Sequence, residues 1–305
     1  MILGAHLGIA SGLPEAVREL KQIGGEALQI FSKSPQMWSG PPIAPAAAAS
    51  FRAAVLAENV RATAVHHGYL ANLASPKPDT LARSRAAFRD EVARAELLGV
   101  DGLIFHPGAH LGSGVEAGLK TIAESLRKAI EETPTGATRL LLENAAGQGT
   151  TLGARFEELQ TVLAAVDAPA RLGVTLDTCH LFASGVDFRT EDGYGRLVDQ
   201  IHDTIGIATV RAFHLNDAKA ALGSHLDRHE NIGKGEIGLA GFRHLLADSR
   251  WAVIPGYLET PLDDRGYARY AEDLSSLNSL VSGPTGPPAK RLPRRRKPRA
   301  SSTVK

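Results

Sequence analysis

Eight short apolar runs, each separated from the next by an amphipathic stretch, constrain this chain more than any other feature. The runs at 2–6, 27–31, 63–66, 102–106, 139–143, 172–177, 211–214 and 253–259 read as strands. The stretches at 14–23, 46–58, 80–98, 118–132, 156–166, 239–247 and 267–280 read as helices, with a less regular crossover around 194–205. This alternation is the mark of βαβ units and of a parallel sheet buried on both faces. Eight such units predict a closed (β/α)8 TIM barrel, an α/β fold that commonly reaches this length in one domain. We place that domain at residues 1–282 and find no internal repeat.

Composition agrees, and it narrows the setting. With 43% hydrophobic and 22% charged residues the chain can bury a full core and still dissolve. No apolar stretch approaches the roughly 18 residues of a membrane span, and Met1 to His6 lack the basic start of a secretion signal. Cys179 is the only cysteine, so no internal disulfide can form and a reducing, cytoplasmic location is expected. The net charge of +1 conceals an asymmetry. From Gly283 onward there are eight basic residues and no acids, which leaves 26 basic against 33 acidic residues in the body, a formal −7. The segment 283–305, rich in proline and arginine, has almost nothing to bury and is expected to be a disordered tail.

Polar residues fall where a barrel builds its active site. The third to eighth runs close on His66, His106, Glu143, Asp177, His214 and Glu259 in that order. In a parallel barrel those ends converge on one face. One histidine or glutamate at a strand end is most often a cap or a hydrogen-bonding neighbour. Six in succession, all of metal-ligand types, point to a metal site. Packed together without cations, such groups would cost on the order of several kcal/mol each to bury. Mixed imidazole and carboxylate donors suit Zn2+, with Mn2+ at one site as the variant, better than Mg2+, which prefers oxygen alone. Two local motifs extend the set. Asp177-Thr178-Cys179-His180 puts a second imidazole just past a strand end. Asp227-Arg228-His229 directs two donors the same way in extended backbone, so His180, Asp227 and His229 form a candidate third site.

The blocks that carry these residues resemble the endonuclease IV family of zinc-dependent abasic-site endonucleases. They are His66-His67-Gly68-Tyr69-Leu70-Ala71-Asn72-Leu73, Phe105-His106-Pro107-Gly108-Ala109-His110, Glu143-Asn144-Ala145-Ala146-Gly147-Gln148-Gly149 and Leu176-Asp177-Thr178-Cys179-His180. His214-Leu215-Asn216-Asp217-Ala218-Lys219, Asp227-Arg228-His229 and Leu258-Glu259-Thr260 complete them, and the likeness covers roughly residues 1–280. It implies a barrel holding three zinc ions that incises double-stranded DNA 5′ to abasic sites, leaves 3′-OH and 5′-deoxyribose phosphate, and cleans blocked 3′ ends. Carried over by position, His66 and His106 hold one ion, and Asp177, His214 and Glu259 a second. Glu143, the residue assigned to catalysis, bridges these two, while His180, Asp227 and His229 hold the third. A water shared by two zinc ions is then the nucleophile, and the third ion neutralises charge on the leaving oxygen. Three Zn2+ would also bring +6 to the acidic body. We expect a monomer with no membrane partner.

The resemblance also assigns DNA contacts. Tyr69 and Leu70 enter the duplex at the missing base. In the loop after the second strand the family often has an arginine where this chain has Gln36, which removes a cation from the DNA-facing side. Lys33, Lys219 and Arg228 are candidate phosphate contacts. His6, His67 and His110 read as hydrogen-bonding neighbours, His225 as a phosphate or solvent contact, His202 and His244 as helix residues, and Cys179 as a small buried residue. Gly147-Gln148-Gly149 lacks the full dinucleotide fingerprint. The alternative enzyme is a divalent-metal sugar isomerase or epimerase on the same barrel, which has no use for a third site. A non-catalytic nucleic-acid-binding protein would not need all nine donors.

Overall fold

The computed structural model describes residues 1–281, so the basic tail read from the sequence lies outside the described residues. The strands are β1 (Ile2–Leu7), β2 (Ala27–Ile30), β3 (Ala62–His66), β4 (Gly102–Phe105), β5 (Arg139–Glu143), β6 (Leu172–Asp177), β7 (Val210–His214), β8 (Asp217–Ala218), β9 (His229–Glu230) and β10 (Pro255–Leu258). All but β8 and β9 pair in parallel and close into a barrel, because β1 bonds to β2 on one side and β10 on the other. The expected (β/α)8 architecture is therefore the observed one, with strand boundaries shifted by no more than about two residues, the usual scatter of such ends.

Helices fill the crossovers: α1 (Leu13–Gln22), α2 (Pro45–Ala57), α3 (Pro78–Leu98), α4 (Val115–Glu132), α5 (Phe156–Val166), α6 (Thr178–Ala183), α7 (Glu191–Asp203), α8 (Gly238–Ala247) and α9 (Ala268–Val281). Their ends follow local chemistry. Proline, which needs no amide partner in the first turn, opens α2 and α3. Gly99 ends α3 in the left-handed region, at φ 71°, and returns its N–H to Ala95. Two elements escaped the sequence reading. One is the six-residue α6, and the other is the antiparallel pair β8–β9. Both are too short to show a period.

Strand alternation sorts the core into two shells. Outward residues such as Leu28, Leu103, Leu140 and Leu142 pack against helices in the larger apolar cluster. Inward residues Ile2, Ala27, Ala62, Ala64, Ile104, Leu141, Ala212 and Tyr257 form a second cluster inside the barrel. That interior mixes four alanines with the larger Ile2, Ile104, Leu141 and Tyr257. A Cβ on Gly4 would lie 1.6 Å from the carbonyl oxygen of Ala27, so β1 and β2 can approach only with glycine at that position. Two residues beyond Ala64, Ile104, Leu141, Ala212 and Tyr257, on the same inward face, come His66, His106, Glu143, His214 and Glu259. The site is the top layer of the barrel interior, built from polar side chains where the layer beneath is apolar.

Candidate metal centre

Register brings the donors to one level. Asp177 stands opposite His214 in the β6–β7 ladder, and Glu143 stands opposite Thr175, two residues before Asp177. Glu143 and His214 are fully buried, as is Asp177, and His66 is nearly so. Glu143 is the hub. One carboxylate oxygen is 2.8 Å from Nδ1 of His214, and the other is 3.1 Å from Nε2 of His66 and 3.5 Å from Nδ1 of His106. On the far side Nδ1 of His214 also lies 3.4 Å from Glu259 and 3.8 Å from Asp177.

The remaining donors are placed by loops. Asp177 caps α6 by accepting the N–H of His180 at 2.9 Å, so one carboxylate ends a strand and starts the helix that carries the next imidazole. The β8–β9 pair, Asp217 with Glu230 and Ala218 with His229, delivers His229 from the opposite side. Asp227 lies between the two rings, 3.2 Å from Nε2 of His180 and 3.2 Å from Nε2 of His229. Those nitrogens are buried and make no hydrogen bond, despite their closeness to the carboxylate.

These distances fit metal ligation. A tetrahedral ion with bonds of about 2.0–2.1 Å holds its ligand atoms roughly 3.3 Å apart. Five groupings among the described residues have donor atoms within 4.8 Å of one another, and three of them match the expected donor sets: His66, His106 and Glu143; Glu143, Asp177, His214 and Glu259; and His180, Asp227 and His229. Glu143 belongs to the first two. The imidazole tautomers agree. Nδ1 of His66, His180 and His229 donates to the backbone carbonyls of His67, Asn144 and Glu259 at 2.8, 2.9 and 3.1 Å. A carbonyl can only accept, so in the neutral rings Nε2 keeps its lone pair for a metal.

Without metal, the charges compensate one another. Burial pulls the His214 imidazole down, but Glu259 and Glu143 outweigh it and hold the ring at about 9. Burial likewise opposes His229, which Asp177 and Asp227 raise to about 9, and His180, which Asp177 and Asp227 hold well above the ordinary range. Burial would raise Glu143, yet His106 and His214 keep its carboxyl well below the usual range. His106, deprived of water by burial, is lowered.

The candidate DNA-facing residues divide. Tyr69 and Leu70 are exposed, and with His106, Pro107, Thr151 and Asp227 they line a cavity of about 380 Å3 beside the centre. Burial against the site and the Glu259 charge push the Tyr69 hydroxyl up to about 12, so it stays protonated. Gln36, Lys219 and Arg228 are exposed, and Arg228 donates to the carbonyl of Asp227 at 2.7 Å. Lys33 differs from its expectation. Its side chain is 5% exposed and ion-paired with Glu91 and with Asp90, so its charge secures the loop to α3 and is not offered to phosphate.

The other polar residues find ordinary roles. His6 bonds Glu259 at 3.1 Å, His67 bonds the carbonyl of Gly68, and His110 accepts from the N–H groups of Gly112 and Gly114. His225 sits 3.0 Å from the carbonyl of Ala146, while His202 and His244 lie in α7 and α8. Cys179 comes near Asp177 and His229, but its thiol is pushed up by burial and donates to the carbonyl of Arg228.

Three residues went unassigned in the sequence. Asn144 accepts the N–H of Asp177 at 2.6 Å, and Asn216 donates to Asp177 at 2.7 Å while accepting from the N–H of Glu259. Gln29, wholly buried in β2, contacts His214, Glu259 and His6. Amides carry no titratable signal, and Gln29 lies inside an apolar run, one residue short of its strand's end. The Asn that follows Glu143 and the Asn two residues after His214 were the available hints.

Comparisons with known proteins point the same way. A family model described as the xylose isomerase-like TIM barrel matches residues 17–280. A protein of Citrifermentans bemidjiense named probable endonuclease 4 is 40% identical, over 92% of this chain and 99% of that one. The crystal structure of endonuclease IV from Thermus thermophilus matches with a TM-score of 0.81 and 34% identity, covering 92% of this chain and 99% of that one. A D-tagatose 3-epimerase-like protein matches with a TM-score of 0.69 at 19% identity, over 92% and 98% of the two chains, a likeness of fold alone.

Proposed function

This chain belongs to the endonuclease IV family within the xylose isomerase-like TIM barrels, and from that premise we propose that it is a DNA-repair phosphodiesterase. It incises double-stranded DNA 5′ to abasic sites, leaving 3′-OH and 5′-deoxyribose phosphate, and clears blocked 3′ ends. The observation that carries this reading is the third donor group, His180 with Asp227 and His229, placed beside two groups that share Glu143. A sugar epimerase that uses one divalent ion has no task for it.

His66 and His106 would hold one Zn2+, Asp177, His214 and Glu259 a second, with Glu143 between them, and His180, Asp227 and His229 a third, with Mn2+ acceptable at one position. When bound, such ions ionise a water near neutral pH and neutralise charge on a phosphate ester. Glu143 joins the first two donor groups, with one carboxylate oxygen toward His214 and the other toward His66 and His106. Asp227, the most exposed of the carboxylates, faces the cavity that receives the backbone. Tyr69 and Leu70, exposed at its rim, fill the space left by the lost base, with Gln36 and Arg228 outside them against the duplex.

A duplex carrying one abasic analogue, assayed for nicking alongside metal content, tests this. We expect about three zinc ions per chain and loss of nicking on strong chelation. One ion per chain, or full nicking after exhaustive chelation, would favour the isomerase class.

A further inference from the structure

Gln29 has no part in the metal groups, yet it touches two of their members from below. It projects inward from β2, with His6 beside it on β1 and Ala64 beside it on β3. Its Nε2 is 2.6 Å from Oε1 of Glu259 and 2.8 Å from Nδ1 of His6, and its Oε1 is 2.8 Å from Nε2 of His214. The shortest of these contacts, that with Glu259, fixes which way the amide faces. A carboxylate only accepts, so the amide nitrogen faces Glu259 and the amide oxygen must face His214. An amide oxygen also only accepts, so His214 carries its proton on Nε2. In the neutral ring this leaves the Nδ1 lone pair aimed at Glu143, Glu259 and Asp177.

His214 is thereby reversed with respect to His66, His180 and His229, whose Nδ1 protons go to backbone carbonyls. No backbone carbonyl serves Nε2 of His214; an amide side chain does. The same amide engages Oε1 of Glu259 and leaves Oε2, 3.4 Å from Nδ1 of His214, turned to the centre. We propose that Gln29 is a positioning residue, which sets the His214 tautomer and the Glu259 rotamer and so builds the second metal group from the barrel interior. This rests on the metal reading above and assigns to one buried amide the preorganisation of one ion's ligands.

The test uses the full chain, Zn2+ and a competing chromophoric chelator, with Gln29→Met and Gln29→Glu. Methionine keeps the volume and loses both bonds. Glutamate keeps the acceptor for His214 but sets a second carboxylate against Glu259. In each variant we expect one bound equivalent of zinc to weaken by about 10–100-fold, the usual cost of losing an outer partner of a ligand, with the others unchanged. Nitrogen-15 spectra of the imidazoles should show His214 protonated on Nε2 in the wild type and in Gln29→Glu, and altered in Gln29→Met. Zinc affinities within about twofold of wild type in both variants would overturn the proposal and reduce Gln29 to packing. Should the methionine variant fail to fold, the glutamate variant decides alone: one weakened equivalent supports the role, and none overturns it. A wild-type chain that takes up no stoichiometric zinc would instead overturn the metal reading itself.

Discussion

The strand-end donors and the loop-borne donors meet within one centre but are held in different ways. Glu143, Asp177 and His214 are fully buried, and their positions are set by the hydrogen-bond ladders of β5, β6 and β7. Moving any of them means shifting the register of the barrel. His180, Asp227 and His229 depend on a helix cap, a loop and a two-residue strand pair, and the side chain of Asp227 is 47% exposed. The buried carboxylate of Asp217, in β8, accepts the N–H groups of Gly233, Gly235 and Ile237 and so ties β8 to the loop beyond β9. A strand-built group is rigid and water-poor. A loop-built group can be edited without unmaking the fold, and it lies on the side open to solvent.

The comparison breaks most sharply at Glu143. Glu143→Gln should lower incision by about 10^3-fold or more, the scale of losing a principal electrostatic contributor, while DNA binding falls far less. Zinc content must be followed alongside, because Glu143 stands in both strand-end donor groups. If the variant keeps its zinc and cleaves within about tenfold of wild type, the shared role of Glu143 is wrong.

Asp227→Asn should release a single ion and leave thermal unfolding nearly unchanged, since that side chain is half in solvent. We expect incision to drop about 10^2-fold, through weaker neutralisation of the phosphate. Loss of all bound metal in this variant would mean that the two regions are not separable.

Acidity sharpens the contrast on a smaller scale. In the metal-free chain His214 and His229 are held at about 9, so both are protonated at pH 7, and His180 is raised in the same direction. A proton on the ligating nitrogen excludes a metal, so zinc uptake must release protons, and affinity should climb by about tenfold per pH unit for each proton displaced, until pH passes 9. Calorimetry in buffers of different ionisation enthalpy would count them. Asp227→Asn should reduce the count, because that carboxylate supports His180 and His229 but not His214. A count independent of pH between 6 and 9 would contradict these shifts.

The smallest effect belongs to the basic tail. Truncation after Ser282 removes eight cations and no acids. If about half of them meet phosphates, the slope of log affinity against log salt should flatten by roughly 3–4. Zinc content and saturating turnover should not move. Equal slopes for the two proteins would make the tail irrelevant to duplex binding.

Much of this was legible before any coordinates. The alternation of apolar runs specified a parallel barrel, because only strands buried on both faces tolerate such continuous hydrophobicity. A barrel closed in that way must bring the ends of its strands together, so a list of terminal residues was already a description of the centre. What could not be read were contacts between residues distant in sequence that carry no charge or period of their own. The capping of α6 by Asp177 was hidden because one carboxylate serves two elements. The burial of Lys33 was hidden because Asp90 and Glu91 lie on a helix that the sequence separates from it by more than a strand.

The chain alone thus determined which side chains reach the top of the barrel, since strand parity is a local property that closure merely collects. Only the tertiary structure decided how those side chains are oriented. Which nitrogen of His214 faces the carboxylates depends on the Gln29 amide on β2, 185 residues away, and no pattern along the sequence encodes a hydrogen bond between them.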